Sequence, residues 1–197
     1  MRSQSPIATG TNRGPDAGFS LLEVVVAMSV LIVGLLGLAQ TFYVGMSLVA
    51  TSSPNLIARE KAREAIESVH TARDTRVILW ARIRNDTAPD CAPWPGTVAN
   101  AGGSFLVNEL PLRTAGPDGL VNTADDVGQE ASPGPDNIMG NADDIPLLGF
   151  TRQIAICDVA GNPDLRQVVV TIRYNGTGAV GNQRREYRLT TYVSSFS

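Results

Sequence analysis

One histidine, two cysteines and a single lysine stand in a chain of 197 residues. Each scarcity removes a class of chemistry. His70 is the sole imidazole, so a zinc centre has no second histidine and no carboxylate–imidazole–nucleophile set is visible. Cys91 and Cys157 are too few for a disulfide scaffold and too far apart for a zinc knuckle. Fifteen of the sixteen basic residues are arginine, spread among nineteen acids for a net charge of -3. Without a lysine-rich block there is no electrostatic footprint for nucleic acid. At 43% hydrophobic and 18% charged residues, the composition excludes a disordered tail or a collagen-like fibre. The sequence therefore argues against an enzyme before any motif is considered.

What is present is unevenly placed. From Phe19 to Val44 the chain is apolar on all faces, with Glu23 its only charge and no proline. At about 1.5 Å per residue such a helix spans a hydrocarbon layer of about 30 Å and is too long for an ordinary core helix. The preceding residues 1–18 are polar and carry glycine and proline. A secretory signal would have its small-residue cleavage site after the apolar run, and no such pattern follows here. Gly18 and Phe19 instead sit at the front edge of the run, where cleavage leaves the whole helix on the mature chain.

The stretch Gly18-Phe19-Ser20-Leu21-Leu22-Glu23 resembles the processing site of the type IV pilin and pseudopilin superfamily. The resemblance covers about residues 14 to 44. It implies a prepilin peptidase that cuts after Gly18, an N-methylated Phe19 as the new first residue, and Glu23 fifth from that end as an assembly residue. The segment Ile32-Val33-Gly34-Leu35-Leu36-Gly37-Leu38-Ala39 is similar to PilV-type minor pilins. Many major pilins carry a proline near the middle of this helix, where this chain has Gln40.

The chemistry of Glu23 points the same way. A carboxylate in an apolar helix costs roughly 2.5–3.5 kcal/mol on insertion scales and nearly always has a partner. Cleavage after Gly18 creates an α-amine on Phe19 that can meet Glu23 within the chain or across a staggered neighbour. In the second case the pair sets axial register between helices that otherwise slide. The alternative is a protonated or snorkelling Glu23 at the bilayer edge.

Further along, Ser52-Ser53-Pro54 reads as a break, with Ser53 capping and Pro54 starting a fresh helical stretch. Ala58, Ala62, Ala65, Ile66 and Val69 then recur at helical spacing opposite Arg59, Glu60, Arg63, Glu64 and Glu67. This amphipathic half is expected to pack on a sheet, with His70 as a surface or packing residue. Residues 86–103 read as an irregular loop around Cys91 and Trp94, and Phe105-Leu106-Val107 as the start of a short strand.

The second half contains a near-repeat. Gly116-Pro117-Asp118, Asp125 and Asp126 align with Gly134-Pro135-Asp136, Asp143 and Asp144, eighteen positions later, with Asn122 inside the first copy and Asn141 inside the second. Seven acids and no base lie between Arg113 and Arg152. Their repulsion favours a solvated loop or a bound cation. Calcium suits flexible loops offering carboxylate, amide and carbonyl oxygens. That makes Asp118, Asn122, Asp125, Asp126, Asp136, Asn141, Asp143 and Asp144 candidate ligands, although the spacing is not that of an EF-hand. An unliganded acidic loop is the competing reading.

The C-terminal segments 149–159, 165–174 and 185–196 read as strands separated by turns at Gly161-Asn162-Pro163-Asp164 and Asn175-Gly176-Thr177-Gly178. Alternation is visible in Val168, Val170, Ile172 and Tyr174, and Val169 breaks it. Short connections favour an antiparallel meander with one face on the helix and the other in water. In an oxidising compartment Cys91 and Cys157 can pair; two free thiols are the alternative.

The expected architecture is α+β. A leader (1–18) precedes a membrane and filament-core helix (19–45), an amphipathic continuation (46–85), and a head (86–197) with the acidic loop 116–145. The resemblance implies a minor pilin or pseudopilin of a type IV pilus or type II secretion pseudopilus. Its partners would be prepilin peptidase, other pilin subunits and the bacterial inner membrane, crossed once with the head in the periplasm. A membrane-tethered, calcium-dependent adhesion or binding module that never polymerises is the alternative. Neither reading involves nucleic acid.

Overall fold

The computed structural model describes residues 20–176 and 183–196, with the side chains of residues 47–52 excepted. Gly18 and Phe19 lie outside the described residues. The chain divides into two units, one ending at Met46 and one beginning at Ser47, and each is described by itself.

In the first unit, Leu21–Met46 is wholly helical, is long and apolar enough to cross a membrane, and has none of its most apolar stretch buried. Its serine and threonine hydroxyls are satisfied locally: Ser29 donates to the Val25 carbonyl and Thr41 to that of Gly37, at 2.8 and 2.9 Å. Such back-bonding lets a polar side chain sit in an apolar surrounding without a second chain. Gly34, Gly37 and Gly45 have open space where a Cβ would stand, so packing within this chain does not demand them.

Helix α1 runs from Leu21 to Asp74, which differs from the expected restart at Pro54 and from the expected end near residue 85. Pro54 lies inside the helix and removes one backbone hydrogen bond. Tertiary packing outweighs that loss: Ala58, Ala62, Ala65, Val69 and Ala72 are all fully buried in the core. Most helical stability in proteins comes from burying one face in this way. The helix stops where Arg76 takes a left-handed conformation, φ 55°, the turn that closes helix C-termini.

The stripe packs against a five-stranded sheet in which β1 (Thr97–Val98), β5 (Thr151–Val159), β6 (Asn162–Gly176) and β7 (Gln183–Ser194) lie side by side. Strand β2 (Leu110–Pro111) also pairs with β5. Every pairing is antiparallel. A separate ribbon joins β3 (Ala131–Ser132) to β4 (Ile145–Pro146). The β5–β6 turn is tighter than the sequence suggested: Val159 pairs with Asn162, leaving Ala160 and a left-handed Gly161 between them. Phe105 makes one isolated parallel bridge with Asn85 instead of beginning a strand. Asn85 stands in for a missing strand, donating to the Ile154 carbonyl and accepting from the Ile156 N–H at 2.8 Å each.

On β5 and β6 the second face is not exposed as expected, whereas β7 meets water along most of its length. Ile154, Ile156, Val168, Val170 and Ile172 face α1, but Ala155, Cys157, Val169 and Thr171 on the opposite face are also buried. The loop around Cys91 covers them. A disulfide joins Cys91 to Cys157 across 66 positions, and Pro89, Pro93 and Trp94 line a groove with Ala155, Val169 and Thr171. The break in alternation at Val169 is the trace of that second cover.

The segment after α1 is held by charge. Arg166 on β6, 1% exposed, donates to the carbonyls of Trp80 and Ile83 at 2.5 and 2.6 Å, lies 4.1 Å from the Trp80 ring centre, and meets Asp158 at 3.0 Å. Arg84 approaches the same carboxylate at 2.6 Å. Burial pushes the Asp158 carboxyl up, but hydrogen bonds from Arg84 and Asn100 and the charge of Arg166 outweigh it and hold it below the ordinary range.

Two outcomes follow from this packing. Replacing both cysteines by serine should lower unfolding stability by about 4 kcal/mol in the chain-entropy account of a loop this long, read as a lower denaturant midpoint. Because the folded Asp158 pKa is depressed, its contribution is complete above the unfolded carboxylate range and disappears as pH falls below about 4. Asp126 acts oppositely, since burial raises its pKa and its charged form costs stability as pH rises. Thermal melts from acid to neutral pH should therefore show an acid-side loss that Asp158→Asn reduces, Asp74 and Asp125, also held below the ordinary range, supplying the remainder.

Candidate assembly and processing site

The N-terminal site starts from the local rule for beginning a helix. Ser20 precedes the first turn, and its Oγ accepts from the Leu22 N–H at 3.2 Å. Its carbonyl accepts from the N–H groups of Glu23 and Val24 at 3.0 and 3.2 Å. Ser20 is thus the cap, and Glu23 occupies the third helical position. Ser-x-x-Glu is the capping-box spacing, in which the acid also complements the positive helix end. The sequence reading missed this second role, though Ser20-Leu21-Leu22-Glu23 spells it out.

Glu23 is exposed and its carboxylate has no ion pair among the described residues. On the same side, Val24, Ala27, Met28 and Leu31 border a shallow apolar groove with it. Ala27, one turn on, leaves room beside the carboxylate for a group from elsewhere. The partner expected for Glu23, the Phe19 amine, and the scissile Gly18 bond fall outside the described residues.

The acidic repeat is a structural duplication. In copy one the Leu120 N–H donates to Asp118 Oδ1 at 2.8 Å and the Asn122 N–H to Asp126 Oδ2 at 2.7 Å. In copy two the Ile138 N–H donates to Asp136 and the Gly140 N–H to Asp144, at 2.9 and 2.7 Å. The two glycines share a reason: a Cβ on Gly116 would fall 2.3 Å from the Asp125 carbonyl oxygen, and one on Gly134 would fall 2.2 Å from the Asp143 carboxylate. Asp125 also accepts from the Asp118 N–H and the Thr123 hydroxyl, and Asn141 donates to Asp136. The eight residues singled out for calcium therefore assemble as two sets of four. Their oxygens are largely engaged by their own loops, and no group of three His, Cys, Asp or Glu side chains that could hold a metal occurs among the described residues.

Between the copies lies a buried ion network that the sequence did not reveal. Glu130, 5% exposed, meets Lys61 of α1 at 2.7 Å and Arg152 of β5 at 3.3 Å. Burial works against the Lys61 charge, but Glu130 and Glu64 hold its pKa above the ordinary value. The only lysine of the chain thus fastens the acidic segment to the helix.

Residues 13–39 match the family model of the prokaryotic N-terminal methylation motif. No curated protein and no solved structure matches the chain. The motif indicates a type IV pilin- or pseudopilin-like protein that is processed as a prepilin, and the α+β architecture is consistent with a pilin-like fold. The apolar helix that the motif overlaps is long enough to anchor the chain in a membrane.

Ser20→Ala should cost the helix end about 1 kcal/mol and speed hydrogen exchange at the Leu22 amide roughly fivefold. Ser20→Asp should preserve protection. Exchange measured on the full chain in micelles distinguishes the two.

Proposed function

We propose that this chain is a minor structural subunit of a type IV pilus or a type II secretion pseudopilus, of the PilV-like kind. The observation that carries this reading is the methylation motif over residues 13–39 joined to an apolar helix whose only charge is Glu23. Prepilin peptidase removes residues 1–18, Phe19 becomes the N-methylated terminus, and the retained helix packs among the helices of other subunits. Lateral packing uses the small residues Gly34, Gly37, Ala39 and Gly45, because close backbone approach is what drives helix association in lipid. The open space at the three glycines supports a role in contacts outside the chain. Glu23 meets the terminal amine of a neighbour and fixes axial register. The head stands clear of the membrane on the periplasmic side, where an oxidising environment maintains the Cys91–Cys157 bond.

Co-expression with a prepilin peptidase and its partner pilins should yield a chain beginning at a methylated Phe19 by mass spectrometry. Glu23→Ala should be cleaved normally yet enter sheared filaments at about a tenth of the wild-type amount or less, since one lost charge pair of about 1.4 kcal/mol is tenfold in a binding constant. A chain that keeps residues 1–18 in the presence of the peptidase defeats the proposal.

A further inference from the structure

The two copies of the acidic repeat fold alike but are used differently. At the corresponding apolar positions, copy one holds Leu120 and Val121, 0% and 3% exposed, and copy two holds Ile138 and Met139, 61% and 56% exposed. Copy one is docked: Leu120 enters the core and the Val121 N–H donates to Ser68 Oγ on α1 at 2.9 Å. Copy two presents the same device to solvent, an apolar pair braced by Asp136, Asp143 and Asp144. Leaving two large apolar side chains exposed on an ordered loop gains this chain nothing by itself. The flanking carboxylates also oppose an anionic lipid surface, so a basic-rimmed apolar pocket is the complement.

The chain carries such a pocket. Beyond the end of α1, Ile78, Leu79, Trp80 and Ile83 floor a cavity of about 250 Å³, with Arg73 and Arg76 at its rim. A cavity of about 150 Å³ already takes a benzene-sized guest. Leu79 is 73% exposed there and Val77, beside it, 52%. Arg73 is paired with Asp74 at 2.6 Å, whereas Arg76 makes no ion pair among the described residues.

We infer that the Ile138–Met139 loop of one chain docks into the Arg73/Arg76 pocket of a second copy. The loop and the pocket are different surfaces, so the contact is head-to-tail and propagates without closing on itself unless geometry makes a ring. Ile138 and Met139 cover the floor at Leu79 and Trp80, and Arg76 faces the loop carboxylates. The inference concerns heads alone and holds whether or not the chain is a pilus subunit.

The test uses full-length chains in detergent, one carrying Val77→Cys at the pocket rim and the other Ala142→Cys on the loop. Both positions are exposed, and circular dichroism confirms that each variant is folded. Mixed and oxidised, the pair should give a crosslinked heterodimer at about ten times the yield of Val77→Cys with Val127→Cys, an exposed position just after copy one. Adding Ile138→Ser and Met139→Ser to the loop chain, or Arg76→Glu to the pocket chain, should each lower the yield at least about fivefold. A yield no higher than the Val127→Cys control, or one that neither change lowers, overturns the inference.

Discussion

Strand β6 is buried on both faces, and that constraint organises the head. From Arg166 to Ile172 every side chain is shielded, so two covers are required where a half-exposed antiparallel strand needs one. The alanine stripe of α1 supplies the first cover. Its small side chains bring the helix close to the sheet, and the interdigitated core tolerates few voids. The loop around Cys91 supplies the second. A loop of prolines and turns has little regular hydrogen bonding to hold it in place, and the disulfide to Cys157 and the side chain of Asn85 fasten this region to β5.

The buried charges extend the same logic. Arg166 and Arg152 point from the sheet into the side occupied by α1, and each is almost fully buried. An unpaired guanidinium there would be costly, whereas one meeting carboxylates and backbone carbonyls fixes the segments that carry them. Arg166 places the Trp80 turn and, with it, the apolar pocket beyond α1. Arg152, with Glu130 and Lys61, places the acidic segment. The two surfaces assigned to head-to-tail contact are therefore both positioned by buried arginines of the sheet.

In the N-terminal unit the governing fact is a single carboxylate at the start of an apolar helix. Ser20 and Glu23 show how one short motif answers two demands. The acid is favourable at the third helical position because the helix end is positive, and it remains available laterally because Ala27 leaves space beside it. The helix is apolar and long enough for a membrane span.

The sequence alone was enough for the features whose cause is local. An apolar run broken by a single charge needs no partner to be recognised as a membrane-length helix, and the processing motif, the strand periodicity and the duplicated acidic loop are patterns of neighbours along the chain. Tertiary structure decided what depends on residues far apart. Pro54 stayed inside α1 because the buried stripe outweighs one lost hydrogen bond, and Val169 is covered because a bond between Cys91 and Cys157 holds a loop over it. The two acidic copies, alike at six of eleven positions, met different fates because only the first lies against Ser68 and the core. Local order is written in adjacent residues, but burial depends on which distant surface arrives, and that is set only when the chain has folded.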